Sequence, residues 1–240
     1  LNKIICMMVC AAALFASTLN KADDAYVDGK YEEAAKLYEK ACDEGDMQGC
    51  YNLGAMYENE RGVKYDMQKA VNLYEKACNG DNVYGCYNLA MVYSDLKDYA
   101  KAVALLTKAC NGEDGMACFN LGVFNFKGEG IKEDKKAGNE FFKKACEYGT
   151  PEGCYELARS YVRGQGIELN FKKAEEFHAK ACQMHHSRGC YNVGALNTNP
   201  KAKAHMKQDR DKAKEFFKQG CDLGDEQSCE NLMFMELGKL

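Results

Sequence analysis

Lys40-Ala41-Cys42-Asp43-Glu44-Gly45-Asp46-Met47-Gln48-Gly49-Cys50-Tyr51-Asn52-Leu53-Gly54 carries two cysteines eight positions apart. The arrangement returns five more times, at Cys78/Cys86, Cys110/Cys118, Cys146/Cys154, Cys182/Cys190 and Cys221/Cys229. Successive first cysteines are mostly 36 residues apart, with one interval of 32 and one of 39. Self-similarity at such a period marks a repeat architecture, in which each unit buries its apolar face on its neighbours.

Alignment on the first cysteine exposes a helix before it. One residue back stands Ala41, Ala77, Ala109, Ala145, Ala181 or Gly220, and eight back Ala34, Ala70, Ala102, Gly138, Ala174 or Ala213. Four back stands Tyr38, Tyr74, Leu106, Phe142, His178 or Phe217, and five back Leu37, Leu73, Leu105, Phe141, Phe177 or Phe216. Apolar residues at these intervals line one face of a helix, and the small ones admit a neighbouring helix closely. Twelve back stands Asp66, Asp98, Asp134, Asn170 or Asp209, residues that cap a helix N-terminus; the first repeat has Lys30 there.

Turn residues separate the cysteines: Gly45-Asp46, Asn79-Gly80-Asp81, Asn111-Gly112, Gly149-Thr150-Pro151 and Gly224-Asp225. They predict a left-handed glycine ending the first helix and a fresh cap starting the second. Repeat five departs, with Met184-His185-His186-Ser187. The second helix presents Cys50, Leu53, Gly54 and Tyr57 as one buried stripe, with equivalents in later repeats. Two antiparallel helices on a short turn bring each cysteine pair face to face, in reach of a disulfide. Zinc is disfavoured, because its cysteine ligands usually stand two to four residues apart. No cofactor is called for.

Lys3 followed by the apolar run Ile4 to Phe15 and the small residues Ala16, Ser17 and Thr18 reads as an export signal over residues 1–22, cleaved somewhere between 16 and 22. Asp23 to Asp28 reads as a turn after it. The run is too short to span a bilayer. Twelve of the 14 cysteines lie beyond it, all paired, as expected in a secreted or periplasmic location. Formal net charge is −4, which does not support nucleic-acid binding. The basic cluster from Lys201 to Lys218 reads as a solvated face. The expected architecture is therefore all-α: a right-handed solenoid of αα-hairpins, each with its own bridge, in six repeats over about 23–62, 63–97, 98–130, 131–166, 167–200 and 201–240.

The pattern C-Y-N-L-G-x-x-Y, a G-x-G-[IV] link and D-x-x-K-A-x-x-x-Y-x-K-A-C resembles the Sel1-like repeat, a relative of the tetratricopeptide repeat. A C-x7-C in every repeat resembles the secreted Helicobacter cysteine-rich proteins. The resemblance covers about Asp23 to Leu240. It implies an exported scaffold that binds peptides or cell-envelope or host proteins, with β-lactam or peptidoglycan-fragment binding and weak β-lactam hydrolysis as an alternative.

Within this frame one amide recurs: Asn52, Asn88, Asn120, Asn192 and Asn231, with Glu156 in repeat four. It falls about 200° round the helix from Cys50, away from its own hairpin. An amide both donates and accepts, so it reads a peptide backbone without regard to side chain. Ala55, Met91 and Val123 are the expected floor of the groove, and Gln48, Tyr84 and Met116 its wall. The competing role is an amide that ties structure together. Ser94-Asp95-Leu96-Lys97 matches S-x-x-K, but the other serine β-lactamase elements are absent, and no catalytic residue is assigned. His178 reads as a core residue and His185-His186 as a loop pair.

Overall fold

The computed structural model describes residues 18–200, 202 and 206–238. All the regular elements among them are helical. A first helix, α1, is described over residues 18–27. The helices that follow are α2 (Tyr31–Asp43), α3 (Met47–Glu58), α4 (Met67–Asn79), α5 (Val83–Asp95), α6 (Tyr99–Asn111), α7 (Gly115–Lys127), α8 (Lys135–Glu147), α9 (Pro151–Arg163), α10 (Phe171–Gln183), α11 (Ser187–Thr198), α12 (Arg210–Asp222) and α13 (Glu226–Glu236). The chain is an all-α solenoid of paired hairpins linked by disulfides. The described residues fall into two units that divide between Gly112 and Glu113. In the first, α2 to α6 pack in sequence; in the second, α7 to α13 do the same.

The caps carry the boundaries. Asp66, Asp98, Asp134, Asn170 and Asp209 each accept a backbone N–H from the first turn of their helix, while Lys30 makes no side-chain cap. Asp46, Asn82, Asp114 and Asp225 do the same for the second helices. Repeat five keeps the cap with other chemistry: His186 Nδ1 accepts from the Gly189 N–H at 3.1 Å.

The turns correct the glycine expectation in part. Gly45, Gly149 and Gly224 are left-handed, but in repeats two, three and five the left-handed residues are Asp81, Glu113 and His185. Gly80 and Gly112 have negative φ. They are needed for space: a Cβ on Gly80 would lie 2.4 Å from the Met47 side chain, and one on Gly112 2.2 Å from Val83. Asp23 to Asp28 is also corrected. Residues 23–27 continue α1, because Ala22 and Ala25 are buried against Tyr38, Leu53 and Met56 and hold the helix on the first hairpin. Residues 1–17 of the expected export signal lie outside the described residues, as do 201, 203–205 and 239–240.

Contacts of three kinds bind the layers, the third of them seen in the first unit. Cys42–Cys50, Cys78–Cys86, Cys146–Cys154, Cys182–Cys190 and Cys221–Cys229 are bridged inside their own hairpins, with Cα–Cα distances of 4.5–4.7 Å. Cys110 and Cys118 are also disulfide-bonded. The aromatic residue after the second cysteine packs on the core ring of the next repeat. Tyr51 lies 6.0 Å from Tyr74, Phe119 5.8 Å from Phe142, Tyr155 5.4 Å from His178 and Tyr191 5.9 Å from Phe217. Finally, lysines of the K-A-C motif reach back one repeat. Lys76 Nζ donates to the Cys42 carbonyl at 3.0 Å and Lys108 Nζ to the Cys78 carbonyl at 2.7 Å, a cation on the last turn of the preceding first helix.

Candidate functional site

The recurring amides all sit half-buried on the second helices: Asn52 on α3, Asn88 on α5, Asn120 on α7, Asn192 on α11 and Asn231 on α13, with Glu156 on α9. Three of them do not point away from their own hairpin. Tyr38 is buried, yet its hydroxyl emerges beside Asn52 and donates to Asp23 Oδ1 at 2.6 Å. Asn52 Nδ2 reaches the same carboxylate oxygen at 3.5 Å. Asn88 bonds the Tyr74 hydroxyl, which donates to Glu58 Oε2 at 2.5 Å. Asn192 Nδ2 lies 3.3 Å from His178 Nε2. A long polar ring four residues before the first cysteine crosses the hairpin and meets the amide on the far side. Helical angle alone does not show this.

The other ladder positions differ. Glu156 takes both short contacts of Arg159 Nη1, at 2.6 and 2.8 Å. Asn231 Nδ2 donates to the Gln227 carbonyl of its own helix at 2.9 Å. Gln48, an expected wall residue, bridges two repeats: its Nε2 donates to Asn52 Oδ1 at 2.9 Å, and its Oε1 accepts from Asn82 Nδ2 at 3.0 Å. Tyr84 and Met116 stand exposed.

Two equivalent pockets open at this face, one in each unit. In the first unit a cavity of about 360 Å³ is lined by Tyr26, Tyr38, Asn52, Ala55, Asn59 and Arg61, among others. In the second a cavity of about 240 Å³ is lined by Tyr155, Arg159, Arg163, His178, Asn192 and Ala195, among others. Tyr38 and His178 are the same position of the repeat, as are Asn52 and Asn192, and Ala55 and Ala195. Burial holds the Tyr38 and Tyr74 hydroxyls neutral, well above the ordinary tyrosine range. Burial, with His186 and Arg159 nearby, pushes the His178 imidazole down to about 3. His178 Nδ1 is buried with no hydrogen-bond partner among the described residues. His186 is half-buried and stacked on Tyr155 at 4.5 Å, and burial lowers its pKa as well.

Ser94 lies in the last turn of α5, and Lys97 follows in a left-handed turn whose N–H bonds the Ser94 carbonyl. Among the described residues no group of histidine, cysteine or acidic side chains is arranged to hold a metal ion. No helix among them is long and apolar enough to cross a membrane.

Disulfide-linked helical hairpins in tandem make an αα-repeat scaffold of the type generally involved in protein–protein interaction. The chain belongs to the Sel1 repeat family, whose pattern matches residues 23–46, 48–82, 83–114, 115–149, 151–186 and 187–225. A 50-residue stretch, 21% of the chain, is 42% identical to HcpE of Helicobacter pylori, named as a candidate beta-lactamase; the match spans 14% of that relative's length. Among solved structures, a protective antigen of uropathogenic Escherichia coli superposes with a TM-score of 0.80 at 22% identity, covering 92% of this chain and 48% of the antigen. A Sel1 repeat protein from Oxalobacter formigenes gives 0.79 at 22% identity, covering 89% and 88% of the two chains. These two likenesses concern the fold.

Proposed function

We propose that the chain is an exported scaffold that binds extended peptide or protein segments on the face formed, in each unit, by the second helices. The observation that carries this reading is the recurrence of a half-buried amide at one position of the second helix, opening into a pocket at Asn52 and again at Asn192. Amides that already hold the core rings are fixed in place, so a bound backbone does not have to order them. Asn52, Asn88, Asn120, Asn192 and Asn231 are the proposed contacts. The disulfides favour an oxidising compartment, secreted or periplasmic, in keeping with an export signal cleaved ahead of the buried Ala22 of α1.

Random peptides displayed on phage, panned against the oxidised protein, supply a ligand. Benzoylphenylalanine replacing Met91 on α5 should crosslink the selected peptide, and the same group replacing Asn72 on α4 should not. The opposite pattern would overturn the reading. β-Lactams and peptidoglycan fragments are the ligands that HcpE's name and the family resemblance bring. Nitrocefin turnover that disappears in Ser94→Ala would move the function to that chemistry.

A further inference from the structure

The two pockets exist for a reason that can be read in the repeats. Repeat one has Asn52, Ala55, Met56 and Asn59; repeat five has Asn192, Ala195, Leu196 and Asn199. The other repeats place Met91, Val123, Arg159 or Phe234 where these have alanine. They place Asp95, Lys127, Arg163 or Gly238 where these have the second asparagine. Alanine is smaller than each of the residues that replace it, and the second asparagine, Asn59 or Asn199, edges the opening.

The two pockets share a pattern of charge. No carboxylate lines either of them, and each has arginine at its border. Arg61 lies over the rings of Tyr26 and Tyr31, at 5.9 and 5.4 Å, and Nη1 donates to the Tyr31 hydroxyl at 3.4 Å. It has no acidic partner among the described residues, and neither does Arg163. Arg159 is already held by Glu156. Asp23, beside the first pocket, already accepts from Tyr38 and faces Asn52. At Arg61 a guanidinium held over aromatic rings and left without a counter-ion favours a planar anion, and at Arg163 an exposed guanidinium without an acidic partner offers the same fork of donors. The volumes sit at or below the small end of small-molecule sites, the scale of a single side chain.

We propose that the pockets at Asn52 and Asn192 are anchors for carboxylate side chains, so that the groove selects acidic peptide segments. Arg61 and Arg163 receive the carboxylate, and Asn52 and Asn192 hold the adjoining backbone. The proposal rests on the groove reading above and adds the chemistry of the partner.

The test uses the oxidised full chain and the capped tripeptides acetyl-Ala-Glu-Ala-amide, acetyl-Ala-Gln-Ala-amide and acetyl-Ala-Lys-Ala-amide, followed by the side-chain amide signals of Asn52 and Asn192 in nitrogen–proton correlation spectra. The glutamate peptide should shift both signals at about tenfold lower concentration than the glutamine peptide. Ala55→Met, which copies repeat two, should silence the Asn52 response and leave that of Asn192. Arg61→Gln should bring the glutamate peptide to the level of the glutamine peptide at Asn52. Equal responses to glutamate and glutamine, or a stronger one to lysine, would overturn the acidic anchor and leave the groove standing. An Asn52 response unchanged by Ala55→Met would overturn the pocket. No response to any of the three at millimolar concentration would overturn both readings.

Discussion

Tyr74 in the first unit and His178 in the second occupy the same slot of the repeat, and both are buried. Both meet the second-helix amide, Asn88 in one case and Asn192 in the other. Their electrostatics differ. Tyr74 donates to Glu58 and stays neutral at every ordinary pH. His178 has no acid on it, keeps one nitrogen unpaired, and can take a proton only at a cost. One packing frame thus tolerates phenol, phenyl, isobutyl or imidazole, and the polar neighbours decide whether the slot is sensitive to pH.

The largest expected effect breaks that symmetry directly. The His178 pKa is lowered from its ordinary 6.5 to about 3 in the folded state. Between those values the unfolded chain binds a proton that the folded chain does not. Stability from this residue is therefore whole above pH 6.5, falls as the pH drops, and stops falling near pH 3. At 1.36 kcal/mol per unit the loss reaches about 4–5 kcal/mol. His178→Phe combined with Ala158→Gly copies the Gly122 and Phe142 pair of repeats three and four. Denaturant melts from pH 7 to 3 should show that slope in the wild type and lose it in the double variant. A shared slope would place the pH sensitivity elsewhere.

Next in size are the bridges. Cys78→Ser with Cys86→Ser should cost about 2–3 kcal/mol, since the bridge closes only a short loop. Cys182→Ser with Cys190→Ser should cost a similar amount. A large difference, measured as the shift in urea midpoint, would show that the units do not share a common hairpin stability.

Gly122→Ala should be smaller, about 1–3 kcal/mol. Its Cβ would lie 2.4 Å from the Phe142 ring. Adding Phe142→Leu should recover part of the loss, because repeats two and three combine Ala90 with Leu106 at these positions. Additive losses in a double-mutant cycle would mean that ring size does not dictate the glycine.

The smallest effect is expected from Lys76→Met, which removes a cation from the Cys42 carbonyl but keeps the aliphatic stem. A loss of about 0.3–1 kcal/mol, reduced by added salt, is expected from thermal melts. A loss unchanged by salt would assign the lysine to packing alone.

Much of this molecule is legible in its repeats. The Asp and Asn caps, the alanine stripe and the C-x7-C pairs each act within a few residues, where helical spacing alone brings the partners together. That is why the hairpins and their disulfides could be read from periodicity. Glycine at the turn was legible only in part, because Gly80 and Gly112 answer to Met47 and Val83 of the preceding repeat.

The reach of the amides was not legible, because it depends on a ring crossing the hairpin from another helix. Nor were the two pockets, although the alanine and second asparagine that mark repeats one and five stand in the sequence. Their meaning needed the neighbours: Tyr26 and Arg61 around Asn52, and Tyr155 and Arg163 around Asn192. The period, the helices and the cysteine partners follow from local spacing along the chain. Which amides support core rings, and which positions stay open, depends instead on how one hairpin's side chains fill the space beside the next.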